Sequence, residues 1–402
     1  MNNRENITAA HLPLAGLTVI EIGQNIAAPM ATQILGDLGA RVIKVEKEEG
    51  DDARAWGPPF WDGAASIFHV VNRNKHSIAV DFRDPDDLAA IERLILAEAD
   101  VVLQSMRPGL LLSQGLGGER IRTLKPSLIW CDLGAFGSGG PLSDRPGYDP
   151  LMQAFAGLMS VTGEEGRPPV RTGYSVVDVG TGMWAANGIL AALFRRQATG
   201  EGCSVEVSLY ETALSWMSIA AALYQSSGVN PTRHGSGAPT IVPYRAYQAS
   251  DGYLVVACAN NGMFEKLSTV LHHPEWTSDE RFASNAARVA NRDELDALIE
   301  ALMVMRTSKE WVDILELASI PCAPVQSIGQ ALDHEQTRAL GIMQRVPESE
   351  MTLTGMPVRF DSTRPPIRSA SAALDANASL LDPYRSPKND LPASGQPCDI
   401  VG

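Results

Sequence analysis

One acid, Asp178, sits among small and apolar residues in RTGYSVVDVGTGMWAANGILAAL (171–193), downstream of GYDPLMQAFAGLMSVTG (147–163). A carboxylate so placed has two readings. Glycines at 173, 180 and 182 let the backbone turn sharply and bring N–H groups close to a bound acyl group, which makes Asp178 a candidate catalytic group. The other reading is a cap, because Asp is favoured just before an apolar-periodic run, here a helix beginning near Thr181. Taken alone, these few residues favour the cap.

Cations cluster in other segments. Lys47 ends a predicted strand, Arg54 and Trp56 follow in GDDARAWGPP, Arg73, Lys75 and Arg83 lie in NRNKHSIAVDFR, and Arg107 lies in SMRPG. Each alone reads as a solvated surface charge; together they flank successive strand ends, where a phosphate-bearing ligand binds an open α/β sheet. Other chemistries find no support. The first βα turn, GQNIAAP, lacks G-x-G-x-x-G, although a helix N-terminus there still suits a phosphate. There is no Walker sequence, H-E-x-x-H or G-x-S-x-G; the serines of GSGG (137–140) and GSG (235–237) read as loop residues, and His272–His273 as surface residues. No metal is expected. The cysteines at 131, 203, 258, 322 and 398 are odd in number and lack C-x-x-C spacing, which fits reduced cytoplasmic thiols. A net charge of −14 argues against a general nucleic-acid binder, so an anionic ligand must meet locally placed cations.

The elements that must position these groups alternate. LTVIEIG (17–23) reads as a strand, MATQILGDLG (30–39) as a helix and RVIKVEK (41–47) as a strand. HSIAVDF (76–82), a helix over 86–99, DVVLQS (100–105) and SLIWCDLG (127–134) continue the pattern. The alternation predicts an α/β fold with a parallel, doubly wound sheet and its ligand outside the carboxyl ends of the strands. A long helix is expected over 184–199, then a strand and a helix. Residues 226–245 read as a linker or mobile loop, and a smaller module starts near Tyr247 and ends at IPCAPV (320–325). The expected blocks are 1–225, 226–325 and 326–402. From Pro365 the Ser-, Ala-, Asp- and Pro-rich tail reads as surface-lying or poorly ordered. The leader MNNRENITAAHLPLAG lacks a secretory pattern, and no run of 18 apolar residues predicts a spanning helix.

Several segments in fixed order resemble the class III coenzyme A transferases: LAGLTVIEIGQNIAAPMATQILGDLGARVIKVEKEEGDDAR, NRNKHSIAVDF, GSGGPLSDRPGYDPLMQAFAGLMSVTG, VVDVGTGMWAANGILAALFRRQATGEGCSVEVSL and IPCAPVQSIGQALDHEQTRALG. The resemblance runs from about residue 13 to 365. It implies a Rossmann-like large domain with a smaller α/β domain, an interlocked ring-shaped homodimer, no permanently bound cofactor, and coenzyme A as co-substrate. It also implies that Asp178 accepts the acyl group, through an aspartyl anhydride and an aspartyl-CoA thioester. An ordinary carboxylate is ionised at pH 7 and needs no activating base. Backbone N–H groups near Asp178 or in the 235–237 loop are the expected oxyanion donors.

The same resemblance places Ile26 and Ala27 at the pyrophosphate or pantetheine turn, Lys47 and Arg83 at phosphates, Ser105, Met106 and Arg107 beside the adenosine, and Tyr148 beside the thioester. Trp56, Gly235, Ser236 and Gly237 face the acyl group. Ile26 replaces a glutamine of the oxalate enzymes, and Ser113 replaces an arginine. Tyr148 stands where α-methylacyl-CoA racemases of the same fold have a basic histidine, which favours transfer over racemisation because tyrosine is a poor base at pH 7. A non-catalytic CoA-binding protein is the other alternative. The N-terminal segment suggests succinyl-CoA as donor and a short dicarboxylate such as itaconate, mesaconate, citramalate or glutarate as acceptor, with Arg54, Arg73 or Arg233 as partner for its distal end. No nucleic-acid or membrane partner is expected.

Overall fold

The computed structural model describes residues 11–386 and divides the chain into two compact units. The first comprises residues 1–152, 175–212 and 342–402; the second comprises 153–174 and 213–341. The expected block 1–225 is therefore interrupted. Residues 153–174 and 213–225 group with the smaller module, and the return to the large unit comes at 342 rather than 326.

The first unit is built on six strands: β1 (Thr18–Ile22), β2 (Arg41–Lys47), β3 (Lys75–Val80), β4 (Val101–Gln104), β5 (Ile129–Gly134) and β6 (Ser204–Ser208). All pair in parallel, in the order β3-β2-β1-β4-β5-β6. Parallel strands covered on both faces read as near-continuous apolar runs, and β1, with all five residues buried, is the plainest case. Ile20, Ile43, Ile78 and Val102 carry its side chains into one core with Ile91, Leu94 and Ile95 of the Pro85–Glu98 helix. Asp84 caps that helix by accepting from Asp86 N, with proline in its first turn.

Two helices matter for the site: α1 (Ala27–Asp37) and α2 (Val176–Thr199). They pack where Gly182 lies against α1. A Cβ there would stand 2.7 Å from Ala27 O and 2.8 Å from Met30 Cβ, so only glycine permits the approach. Among the described residues α2 alone has the length and hydropathy to cross a membrane, but half of its apolar window is buried within the protein.

Of the two forms expected for the tail, its described part takes the first and lies over the surface. Residues 365–386 are ordered against the outer strand β3: Asn377 N–H donates to Ser77 O, Ser77 N–H to Asn377 Oδ1, and Ala79 N–H to Asp375 Oδ1. They pair a sheet edge that would otherwise present free backbone groups. Residues 1–10, which hold most of the leader, and 387–402, with Cys398, lie outside the described residues.

The second unit holds a three-stranded antiparallel sheet. Tyr244–Ala249 and Gly252–Ala257 form a hairpin, and Cys322–Pro324, within the segment expected to end the module, pairs with the second strand. Helices Asn261–Val270, Arg292–Met303 and Ser308–Leu317 cover it around Tyr247, Phe264, Phe282 and Trp311.

Candidate active site

In this strand order the winding reverses between β1 and β4, and ligands of open parallel sheets lie outside the carboxyl ends at that point. The loops leaving those ends, 23–26 and 105–107, meet. Ser105 N–H donates to Ile22 O at 3.0 Å, and a Cβ on Gly23 would fall 2.8 Å from Ser105 Oγ. Ile26, Ala27, Ser105, Met106 and Arg107 are thus gathered at one crevice. Ile26 and Ala27 are buried, so what they offer a ligand is the backbone of the first turn of α1. Arg107 is exposed, with no ion-pair partner among the described residues. Lys47 ends β2 and Arg83 follows β3 on the same edge, paired with Asp52 at 2.7 Å and Asp81 at 2.9 Å. Such open pairs are weak enough for a phosphate to displace. Trp56 and Tyr148 are exposed.

Three other cations are committed to the fold. Arg54 makes a bidentate pair with Glu46, at 2.8 and 2.7 Å, and lies over the Phe68 ring. Arg73 is buried on Asp37 at 2.7 Å. Lys75 starts β3 rather than ending it, and its ammonium lies in the core on Glu21, Pro29 O and Asn72. Neither Arg54 nor Arg73 is left to hold a distal carboxylate. Lys44 completes this network: it bridges Glu21 at 2.7 Å and Asp51 at 2.9 Å and donates to Gly23 O, while Asp51 accepts from Asn25 N–H. The crevice loop is therefore tied to buried charge from both sides. Burial opposes ionisation of Glu21, but Lys44 and Lys75 hold it down at about 2.

Asp178 has the opposite surroundings. The helix begins at Val176, not near Thr181, so Asp178 is in its first turn and is not its cap; Gly180 and Gly182 are helical and make no turn. Ser175 occupies the cap position without a side-chain bond. The N–H groups of Val177 and Asp178 instead reach Asp149 Oδ2, at 2.6 and 3.2 Å. No cation or hydrogen-bond donor meets the Asp178 carboxylate among the described residues. One turn before Gly182, which lies against Ala27 and Met30, it shares the helix face turned to α1. Burial, and then the Asp149 charge, push its acid dissociation up to about 7. The expectation of a fully ionised group at neutral pH is corrected accordingly.

The 235–237 loop belongs to the second unit. Gly235 takes a positive φ of 58° and donates to Gly163 O at 2.9 Å; Gly237 N–H donates to His234 O at 2.8 Å; Ser236 Oγ accepts from Ala246 N–H. Arg233 donates to Arg167 O in the same unit. Most of the expected oxyanion donors are therefore in use, including the N–H groups of residues 177 and 178. Ser236 N–H is the one of the loop's three without a bonded acceptor among the described residues. No cluster of metal-ligating side chains occurs among the described residues, and Cys131, Cys203, Cys258 and Cys322 are unpaired thiols. The role of Asp149 escaped the sequence because a cap 28 residues away leaves no local pattern.

Comparison with known proteins bears on the family and the fold. The sequence profile of CoA-transferase family III matches residues 14–377. Mouse succinyl-CoA:glutarate CoA-transferase is 36% identical over 352 residues, covering 87% of this chain and 80% of the relative. Succinate–glutarate CoA-transferase of Agrobacterium fabrum is 33% identical over 392 residues, covering 93% and 98%. The crystal structure of a CaiB/BaiF family protein from Brucella suis superposes with a TM-score of 0.83 at 37% identity, over 92% of this chain and 99% of that one.

Proposed function

The chain belongs to CoA-transferase family III and is a CoA-transferase, and from that premise we propose that Asp178 is its nucleophile, with succinyl-CoA as donor and a short dicarboxylate as acceptor. The observation that carries the assignment is a carboxylate withdrawn from water without a cation, on the helix face turned to α1. Its raised basicity strengthens it as a nucleophile, while an ionised fraction remains at pH 7.

An Asp178 oxygen attacks the thioester carbonyl, the C–S bond breaks, and a mixed anhydride and CoA thiolate result. The thiolate attacks the aspartyl carbonyl, releasing the donor carboxylate and leaving an aspartyl-CoA thioester. The acceptor carboxylate then attacks that carbonyl and expels the thiolate, which takes the acceptor acyl group and frees Asp178. Each addition puts charge on a carbonyl oxygen, which a positioned hydrogen-bond donor would stabilise. Water must be excluded because it would hydrolyse the anhydride. Glutarate leads the acceptor series, since both relatives named above transfer CoA to it.

We also propose that the enzyme works as a homodimer. Met183, Trp184 and Phe194 of α2 are exposed, Phe194 by 78%, an apolar set that a second copy would cover. Light scattering on the purified chain reads this directly, and a monomer at micromolar concentration would refute it.

Incubation with succinyl-CoA and hydroxylamine or borohydride, followed by mass spectrometry, should find modification at Asp178. Asp178→Ala should lower transfer by about 10³-fold or more with CoA binding intact. A variant that still exchanges CoA at a comparable rate would move the nucleophile elsewhere. A carboxylate panel assayed with succinyl-CoA and acetyl-CoA tests the substrates; failure with every dicarboxylate removes that part alone.

A further inference from the structure

We propose that Asp149 is a positioning residue for Asp178: its carboxylate holds the first turn of α2 from outside the helix and sets a second negative charge beside the acyl-accepting one. This rests on Asp178 being the nucleophile.

The first N–H groups of a helix have no partner within it. The usual remedy is a Ser, Thr, Asn or Asp at the cap position. Ser175 is there, yet its hydroxyl makes no capping bond. Asp149 reaches in from 28 residues away and takes both Val177 N–H and Asp178 N–H on one oxygen, while only 1% of the residue remains exposed. One of those two N–H groups belongs to Asp178 itself. The backbone that carries the nucleophile is thus fixed by a direct bond, and the partly positive helix N-terminus accommodates the Asp149 charge.

For folding alone a neutral cap would serve better, because it would satisfy the same N–H groups without repelling Asp178. The charge has a chemical consequence instead. After burial, Asp149 is the group that lifts Asp178 to about 7. Other ionisable groups on the elements packed against α2 are occupied elsewhere: Asp37, at the far end of α1, bonds Arg73; Asp132 of β5 bonds Gln104 and Trp130; Glu206 of β6 bonds Ser138. A carboxylate whose proton affinity lies near the working pH combines higher basicity with a usable ionised fraction. Two acids in unequal surroundings divide the work: one holds the backbone, and the other reacts.

The test measures kcat and KM against pH for the full-length enzyme with succinyl-CoA, in wild type, Asp149→Asn and Asp149→Ala, with adduct trapping in each. Asn keeps an acceptor oxygen and loses the charge. Its acid limb should move down by about one pH unit, with kcat at pH 8 within about threefold of wild type. Ala loses both, so the limb should move likewise and kcat at pH 8 should fall about 10- to 100-fold while the KM for succinyl-CoA stays put. If Ala does not fold, the pH profile of Asn carries the test. An adduct at Asp178 together with an unmoved acid limb overturns this inference and leaves the nucleophile standing; no adduct at Asp178 in wild type overturns both.

Discussion

Glu21 and Asp178 are both carboxylates withdrawn from water in the sheet-bearing unit, and their neighbours give them opposite properties. Glu21 sits mid-strand between two lysines and is held down at about 2. Asp178 sits in a first helical turn opposite another acid and rises to about 7. Burial pushes both in the same direction, so the difference comes from the partner: an ammonium in one case, a carboxylate in the other. Paired burial locks a loop, since Lys44 and Asp51 tie down Gly23 and Asn25. Unpaired burial raises basicity.

The largest effect should come from unpairing the first group. Lys44→Met strands Asp51 and leaves Glu21 with Lys75 alone, and removing one partner of a buried pair costs about 3–5 kcal/mol. Denaturant unfolding checks this, and a loss below about 1 kcal/mol would show that Lys75 suffices.

Neutralising the second group should do the reverse. Asp178 binds its proton more tightly folded than unfolded, so its ionisation weakens the fold as pH rises from about 4 through 7. Asp178→Asn should therefore be more stable than wild type by about 1–3 kcal/mol at pH 8, after allowance for its partly open side. The gain should vanish at pH 4 and below, where both forms are neutral. Thermal unfolding of the two proteins at both pH values reads the sign, and a gain that does not depend on pH would break the contrast with Glu21.

How much of this was legible in the sequence follows the range of each interaction. The strands announced themselves through local apolar runs such as TVIEI and RVIKVEK. Their alternation with helices predicted a ligand outside the carboxyl ends; Ile26, Ala27 and Ser105 came from the family resemblance, and the strand order that brings their loops together was visible only in the fold. The start of α2 was hidden because Gly180, Thr181 and Gly182 look like breakers; the glycine at 182 is explained only by the nearness of Ala27 O, contributed from another helix. Arg54, Arg73 and Lys75 read as surface charges by type, yet their partners Glu46, Asp37 and Glu21 lie 8, 36 and 54 residues away. Composition left residues 365–386 between surface-lying and poorly ordered, because what orders them is pairing with a strand edge, not apolar content.

Between the extremes lies the packing of α2 against α1. Gly182→Ala places a methyl 2.7 Å from Ala27 O, and backbone must shift to admit it. Overpacking of this kind costs about 1–3 kcal/mol, of which the better helix propensity of alanine returns about 1. Because the shift moves α2 against α1, kcat should fall more than stability does. A variant with wild-type kcat would show that Asp178 tolerates displacement and that its surroundings, rather than its placement, govern the rate.

The smallest effect should come from the exposed pairs on the same strand edge. Lys47–Asp52 is open to water on both sides, so Asp52→Asn should leave the melting temperature unchanged. The freed ammonium no longer has to exchange a carboxylate for a phosphate, and the KM for succinyl-CoA should fall about two- to fivefold, an advantage that fades as salt screens the charge. If KM is unchanged at low ionic strength, Lys47 does not meet the coenzyme. The edge cations that do would then narrow to Arg83 and Arg107, and the distinction between charges spent on the fold and charges kept for the ligand would run through β2 itself.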